Sequence, residues 1–260
     1  MLMAIDAGNT NIVFALHDGD KVLHSWRCMT EAGRTADEYA SWLYPLFATE
    51  GLDFGVIDAA IISSVVPDAN FNLRRLCEKN FNAAVSMVNH VLVGEGLQIK
   101  INKPEELGAD RIVNALAVKN CYRYPAIVVD FGTATTFDIV DESGAYCGGI
   151  IAPGINLSVA ALHQAAAKLP KIAIKKPSRV VGGDTVEAMH SGVYWGYVSM
   201  IEGIVKRVSE EMNMKPFVLA TGGLAGLIAQ GTAIIEAVDG DLTLKGLMLI
   251  HKQQAKKRAA

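Results

Sequence analysis

A short polar stretch near the N terminus, DAGNTN at residues 6–11, carries many hydrogen-bonding groups between two apolar runs, 2–5 and 12–16. Gly, Asn and Asp tolerate the backbone angles of a tight hairpin, so a plain turn explains part of the pattern. A turn that also aligns a carboxylate, two side-chain amides and a hydroxyl with exposed backbone N–H groups can hold a phosphate and its metal ion. The stretch therefore predicts either a hairpin turn or a phosphate-binding loop.

The second half of the chain repeats this pattern. The segment 126–133, AIVVDFGT, matches the segment 2–9 as an apolar strand that ends in Asp-x-Gly before a polar turn. Only the Asp and the Gly are identical in register, so the pattern is repeated rather than the sequence. Two such turns facing one another would bracket a polyphosphate, with Asp6 placed to hold a hydrated Mg²⁺ ion.

The elements that must position these turns predict an α/β fold built twice. Each half begins with three apolar segments separated by short polar turns, which predict a three-stranded meander, and continues with helices and buried strands. We predict two duplicated domains, 1–117 and 118–260, with a nucleotide cleft between them. A helix over 35–47 is expected to start at Thr35, because Glu38 stands three residues further on, as in a capping box.

Composition excludes several classes of protein. With 260 residues and 51% hydrophobic content, the chain can bury a full core. The net charge of −3 and the absence of a basic patch outside the C terminus argue against nucleic acid as a partner. The four cysteines are scattered without metal-ligand or disulfide spacing. We expect no signal peptide, because Asp6 interrupts the first apolar stretch. We therefore expect a cytoplasmic protein with reduced thiols.

One charge-free stretch, 216–235, is about as long as a membrane-spanning helix. Its four glycines favour another interpretation, a buried strand followed by a Thr-Gly-Gly turn and a helix. We therefore expect no association with a membrane.

Three further motifs each have a plain alternative. GADR at 108–111 places an anion beside a cation just before a helix, and its plain interpretation is an ordinary acidic helix start with Arg111 in solvent. GGDT at 182–185 can be a loop with an Asp helix cap. ATGG at 220–223 is either a plain turn or a surface where the glycines let an adenosine approach the backbone. The six histidines show no ligand spacing, and we assign them no chemistry.

The motifs together, in their order along the chain, resemble those of the type III pantothenate kinases; they are DAGNTN, GADR, VVDFGTATT at 128–136, GGIIAPG at 148–154, GGDT and ATGG. That family belongs to the superfamily of acetate and sugar kinases, Hsp70 and actin. The resemblance therefore implies two ribonuclease-H-like (actin-like ATPase) domains. It also implies ATP-dependent phosphorylation of pantothenate, the first step of coenzyme A biosynthesis, with Mg²⁺ accompanying ATP.

The resemblance also implies roles for individual residues. The ATP contacts would be Asp6, Ala7, Gly8, Asn9, Thr10, Asn11, Ile12, Val13 and Thr133. The pantothenate contacts would be Gly108, Ala109, Asp110, Arg111 and Thr185, with Asp110 as the general base. Asp130 would hold a monovalent cation, K⁺ or NH₄⁺. Many members have a Tyr seven residues before GADR, where this chain has Ile101, so a phenolic hydrogen bond to the substrate is missing or replaced.

Two properties of these residues can be anticipated. The helix dipole and Arg111 should keep Asp110 ionised at neutral pH, which predicts a low pKa. The charge-free stretch 148–162, with the alanines at 165–167, offers more apolar surface than one domain needs. Together with the family resemblance, this predicts a homodimer.

Two other functions remain open at this level. In a phosphatase or polyphosphatase of the same superfamily, Asp110 would activate water instead of a substrate hydroxyl. In a non-catalytic relative, the fold would serve regulation or partner binding. The presence of Asp6, Asp110 and Asp130 favours a kinase over the non-catalytic alternative.

Overall fold

The computed structural model describes residues 1–166 and 168–259, so the last alanine of the run 165–167 lies outside the described residues. Internal contacts divide the chain into two compact units. The first comprises Met1–Ala117 together with the chain from Thr243 onward, and the second comprises Val118–Leu242.

The C-terminal helix is the point at which this division differs from the sequence-based one, which placed 118–260 in a single domain. Thr243 Oγ1 donates a hydrogen bond of 2.9 Å to Asn114 Oδ1. Gly246 lies so close to the Val113 carbonyl that a Cβ would collide with it. The chain from Thr243 onward therefore packs with the first unit.

The first unit contains a five-stranded sheet in the order β3-β2-β1-β4-β5. Its strands are β1 (Leu2–Ala7), β2 (Asn11–Asp18), β3 (Lys21–Met29), β4 (Ala59–Ser64) and β5 (Ala84–Met87). The first three form an antiparallel meander, while β4 and β5 run parallel to β1. The helices are α1 (Ala36–Thr49), α2 (Pro67–Asn80), α3 (His90–Val93), α4 (Ala109–Cys121), which runs on into the second unit, and the C-terminal α8 (Leu242–Ala259).

One face of this sheet forms the core with α1 and α2. Alternate residues of β1, namely Met3, Ile5 and Ala7, belong to that core, and strand geometry therefore turns Asp6 to the opposite face. The predicted capping box at the start of α1 is confirmed, because the Thr35 side chain accepts from the Glu38 N–H and the Glu38 side chain accepts from the Thr35 N–H.

The second unit contains a five-stranded sheet in the order β10-β9-β6-β7-β8. Its strands are β6 (Ala126–Phe131), β7 (Ala134–Val140), β8 (Tyr146–Pro153), β9 (Phe217–Gly222) and β10 (Ala237–Val238). Its remaining helices are α5 (Ile155–Ala165), α6 (Thr185–Glu211) and α7 (Ala225–Ala229).

The two sheets have the same topology. In each, an antiparallel meander supplies three strands. A later strand pairs in parallel with the first strand of the meander, and one more strand pairs in parallel with that one. The predicted duplicated α/β fold is therefore confirmed. The charge-free stretch 216–235 forms β9 and α7, and within 1–166 and 168–259 no helix is long and apolar enough to cross a membrane.

Candidate active site

The turn between β1 and β2 is the predicted phosphate-binding loop. Asp6 pairs with Val13 in the antiparallel ladder, and the Gly8 N–H donates to the Asn11 carbonyl over 3.0 Å. Asn9 and Thr10, at the tip, are exposed to solvent. The loop is therefore a tight turn with polar, solvent-exposed residues at its tip.

A residue that the sequence interpretation missed holds this loop in place. Thr30, just after β3, donates from its backbone N–H to the Thr10 carbonyl over 3.0 Å and from Oγ1 to the Gly8 carbonyl over 2.6 Å. The available signal was a hydroxyl residue directly after the third strand of the meander, but its target could not be read from the sequence.

The chain after β4 connects the loop to GADR within the first unit. The Val65 N–H donates to the Ala7 carbonyl over 3.0 Å. The Val65 Cγ1 atom lies 3.5 Å from where a Cβ on Gly108 would stand. Pairing of β4 with β1 thus brings two motifs about a hundred residues apart to the carboxyl ends of these two parallel strands.

Asp110 lies in the first turn of α4, where its Oδ1 atom accepts a hydrogen bond of 2.8 Å from the Arg111 N–H. A Cβ on Gly108 would stand 2.6 Å from that same oxygen. Position 108 therefore needs a glycine for the Asp110 carboxylate to take this place.

Burial changes the acidity expected for this carboxyl group. Desolvation raises the pKa of Asp110, and the hydrogen bond and charge of Arg111 offset that effect only in part. The expectation of a low pKa was wrong, because it weighed the charge and the helix dipole without the loss of water around the group. A raised pKa makes Asp110 the stronger proton acceptor.

In the second unit, the Asp130 carboxylate lies against Gly222 of the ATGG motif, which has no side chain to obstruct it. Gly222 has a φ of +87°, and a Cβ there would stand 2.7 Å from both Asp130 Oδ1 and the Phe131 carbonyl. The Gly132 N–H donates to the Ala134 carbonyl over 3.1 Å, repeating the turn of the first half. Gly154, from GGIIAPG, lies against the Thr133 carbonyl so closely that any side chain would collide.

Thr185 is the first residue of α6 and is exposed. Asp184 caps this helix by accepting from the Glu187 N–H over 2.8 Å, and the Gly183 N–H donates to Glu187 Oε2 over 2.7 Å. GGDT is therefore a capped helix start, as its plain interpretation predicted, and a contact of Thr185 with substrate stays a prediction.

The donor set is consistent with a magnesium ion that arrives with a nucleotide. Within the part of the chain that the structure describes, no three or more His, Cys, Asp or Glu side chains cluster as metal ligands. Mg²⁺ commonly takes one or two carboxylates and completes its shell with water and phosphate oxygens. Asp6, beside a loop of amides and a hydroxyl, fits that requirement.

Comparison with solved structures identifies the fold. The chain resembles a conserved putative Baf family transcriptional activator from Campylobacter jejuni, with a TM-score of 0.64 at 20% identity over 98% of this chain and 99% of that one. It also resembles the activator of 2-hydroxyisocaproyl-CoA dehydratase from Clostridium difficile with bound ADPNP, with a TM-score of 0.58 at 12% identity over 100% and 97% of the two chains. A putative N-acetylglucosamine kinase from Porphyromonas gingivalis gives 0.52 at 11% identity over 98% and 100%. The protein thus has the fold of actin-like ATPases and sugar kinases.

Within that class, the chain belongs to the type III pantothenate kinase family, whose model matches residues 2–207. The type III pantothenate kinase of Rhodospirillum rubrum is 55% identical over 253 residues, which cover 97% of this chain and 98% of that protein. The one from Paramagnetospirillum magneticum is 55% identical over 255 residues, which cover 98% of each. The chain is therefore a kinase, and membership of this family implies ATP and a divalent metal ion.

Proposed function

We propose that the protein transfers the γ-phosphoryl group of ATP to a hydroxyl of pantothenate and forms 4'-phosphopantothenate, the first step of coenzyme A biosynthesis. The observation that carries the proposal is the arrangement in the first unit. The Asp6 loop, Val65 and the GADR segment come together at the carboxyl ends of β1 and β4, and burial raises the pKa of Asp110.

The residues of the chain divide the chemistry between them. Asp110 accepts the proton of the pantothenate hydroxyl and orients that hydroxyl for attack. The planar guanidinium group of Arg111, next to the base in sequence, can donate two hydrogen bonds to the carboxylate of pantothenate. Binding of that carboxylate would set the position of the pantothenate hydroxyl. Backbone N–H groups and side chains of the loop 8–11 cradle phosphate oxygens, and Asp6 would hold Mg²⁺, which neutralises phosphate charge.

We propose that Asp130 holds a monovalent cation, K⁺ or NH₄⁺. It occupies the position equivalent to Asp6, at the end of the first strand of its sheet, with Gly222 packed against its carboxylate. The rate should be low in Na⁺ or Tris buffers and should rise when K⁺ or NH₄⁺ is added. Equal rates in every monovalent salt would leave Asp130 as a turn-forming carboxylate.

We also propose a homodimer, formed through the second unit, in the cytoplasm. Strand β8 is a sheet edge, and Ile151 on it is 67% exposed. Leu157, on the helix that follows β8, and Val181, in the loop before α6, are 55% and 81% exposed. Large exposed apolar side chains on an edge strand, a helix and a loop of one unit favour burial against a second copy.

The proposed location in the cytoplasm agrees with the cysteines, because all four are free thiols, as in a reducing compartment.

A coupled ADP-release assay with and without pantothenate tests the activity. ADP should form when pantothenate is present, in step with a phosphorylated product that contains pantothenate. ADP and inorganic phosphate formed at the same rate without pantothenate would identify a phosphatase instead. No turnover under either condition would support a non-catalytic relative.

A further inference from the structure

A buried hydroxyl stands beside Asp6 in the first unit. Ser63, near the end of β4, pairs in register with Asp6 on the neighbouring parallel strand β1. Its side chain is fully buried, and its Oγ atom makes no hydrogen bond within 1–166 and 168–259. A buried hydroxyl without a partner is destabilising, and an alanine at this position would avoid the cost. The serine therefore needs a reason other than packing.

The sheet geometry identifies the group that Ser63 can reach. Ala60 and Ile62 of β4 belong to the core that the sheet forms with α1 and α2, so Ser63 is turned to the opposite face. Asp6 lies on that same face. On its other side, β4 pairs with β5, whose last residue is Met87 and which is followed by the apolar Val88. Asp6 is thus the polar side chain that stands next to Ser63 across these strands.

The second unit repeats this juxtaposition. Asp130 on β6 pairs in register with Thr221 on β9, and Thr221 is also buried. A hydroxyl residue therefore stands beside the Asp of the Asp-x-Gly turn in both halves, although the four residues share no common spacing along the chain. Recurrence at equivalent positions of two diverged halves indicates a role connected with the aspartates.

We propose that Ser63 is a positioning residue for Asp6. In the nucleotide-bound state its hydroxyl donates a hydrogen bond to the Asp6 carboxylate and so holds that group in the orientation in which it would bind the metal ion. A carboxylate has several lone-pair sites and can accept this bond while it faces a hydrated metal, and such supporting donors tune metal affinity. The inference rests on the proposed role of Asp6 in holding Mg²⁺ with ATP.

The test compares Ser63→Ala with the wild type in two measurements. Isothermal titration with ADP should show affinity about 10-fold weaker in the presence of Mg²⁺ and little change without it, the lower end of the range for such supporting residues. Urea unfolding of the ligand-free variant should show equal or higher stability, because an unpartnered buried hydroxyl is removed. Ser63→Thr, which copies the residue of the second unit, should retain wild-type affinity.

Tyr39→Phe is the matched control. The Tyr39 hydroxyl is also buried without a hydrogen-bond partner among the described residues, but it lies in the core on the opposite face of the same sheet. Its removal should leave the affinity for Mg²⁺ and ADP unchanged.

Three results would overturn the inference. They are wild-type affinity in Ser63→Ala, an equal loss of affinity in Tyr39→Phe, and a loss in Ser63→Ala that is accompanied by reduced stability. If the wild type itself does not bind ADP with Mg²⁺, the ATP role of Asp6 fails as well, and the two failures are thereby distinguished.

Discussion

At the scale of residues, Asp110 is a buried carboxyl group with a raised pKa, and its proposed role is proton transfer. Replacement by Asn removes the proton acceptor and nearly preserves the shape of the side chain. We expect Asp110→Asn to lower kcat by roughly 10²- to 10⁴-fold, the usual contribution of such a group. ATP affinity should hardly change, because the proposed ATP contacts are Thr133 and the segment 6–13. Steady-state kinetics with a nucleotide-binding assay would measure both.

Asp6→Asn is the matched comparison for this variant, and it should weaken Mg²⁺–ATP binding as well as lower the rate.

The pH profile of the wild type gives a second check on Asp110. Because the pKa of Asp110 is raised, the base becomes protonated at higher pH than an ordinary aspartate as the solution is acidified, so kcat should fall earlier. Near-normal turnover of Asp110→Asn would leave the residue a helix-start carboxylate.

Gly222 leaves space for the Asp130 carboxylate because it has no side chain. Its φ of +87° is unfavourable for an alanine, and an added Cβ would stand 2.7 Å from Asp130 Oδ1. We expect Gly222→Ala to reduce the free energy of unfolding by about 1–3 kcal/mol, the cost of such backbone strain. Urea denaturation measures this quantity. Gly223→Ala is the control, since its Cβ would meet no atom within 4 Å, and equal losses in both variants would contradict the explanation.

At the scale of elements, the residue that follows the third strand of the meander holds the turn between β1 and β2, the proposed phosphate-binding loop. Thr30 bonds to both Gly8 and Thr10, and the Oγ1 bond to the Gly8 carbonyl depends on its hydroxyl. Thr30→Val keeps the shape of the side chain but removes that bond, whose net value is about 0.5–1.5 kcal/mol. We therefore expect KM for ATP to rise about 2- to 13-fold while KM for pantothenate changes little.

Thr30→Ser keeps the hydroxyl and should behave like the wild type in the same assay. If Thr30→Ser and Thr30→Val raise KM for ATP equally, the methyl packing of Thr30, rather than its hydrogen bond, positions the loop.

At the scale of the whole molecule, the third strand of each meander is an edge strand with an exposed apolar side chain. Ile151 lies on the edge strand of the second unit, and Met29, 69% exposed, lies on the equivalent edge strand of the first. If the second unit forms the dimer, Ile151→Lys should shift the mass measured by light scattering toward the monomer of 27.8 kDa. Met29→Lys should leave the mass unchanged. A wild-type monomer with full activity at micromolar concentration would refute the proposed homodimer.

Local signals in the sequence were sufficient for the fold class. The apolar segments separated by turns identified both meanders, and Thr35 with Glu38 identified the start of α1, because each depends on residues within a few positions of one another. The Asp-x-Gly turns revealed the duplication for the same reason, and the ordered motifs pointed to the family.

Other features depend on contacts between residues far apart in the chain. The C-terminal helix joins the first unit through contacts with α4. Thr30 reaches the Gly8 carbonyl, Gly222 meets Asp130, and Ser63 comes to lie beside Asp6 only when the strands pair in register. The acidity of Asp110 was misjudged from the sequence, because a charged neighbour is visible in the chain while the water excluded by folding is not. Sequence patterning thus determined the elements and the family, and the tertiary structure decided which groups meet and how deeply they are buried.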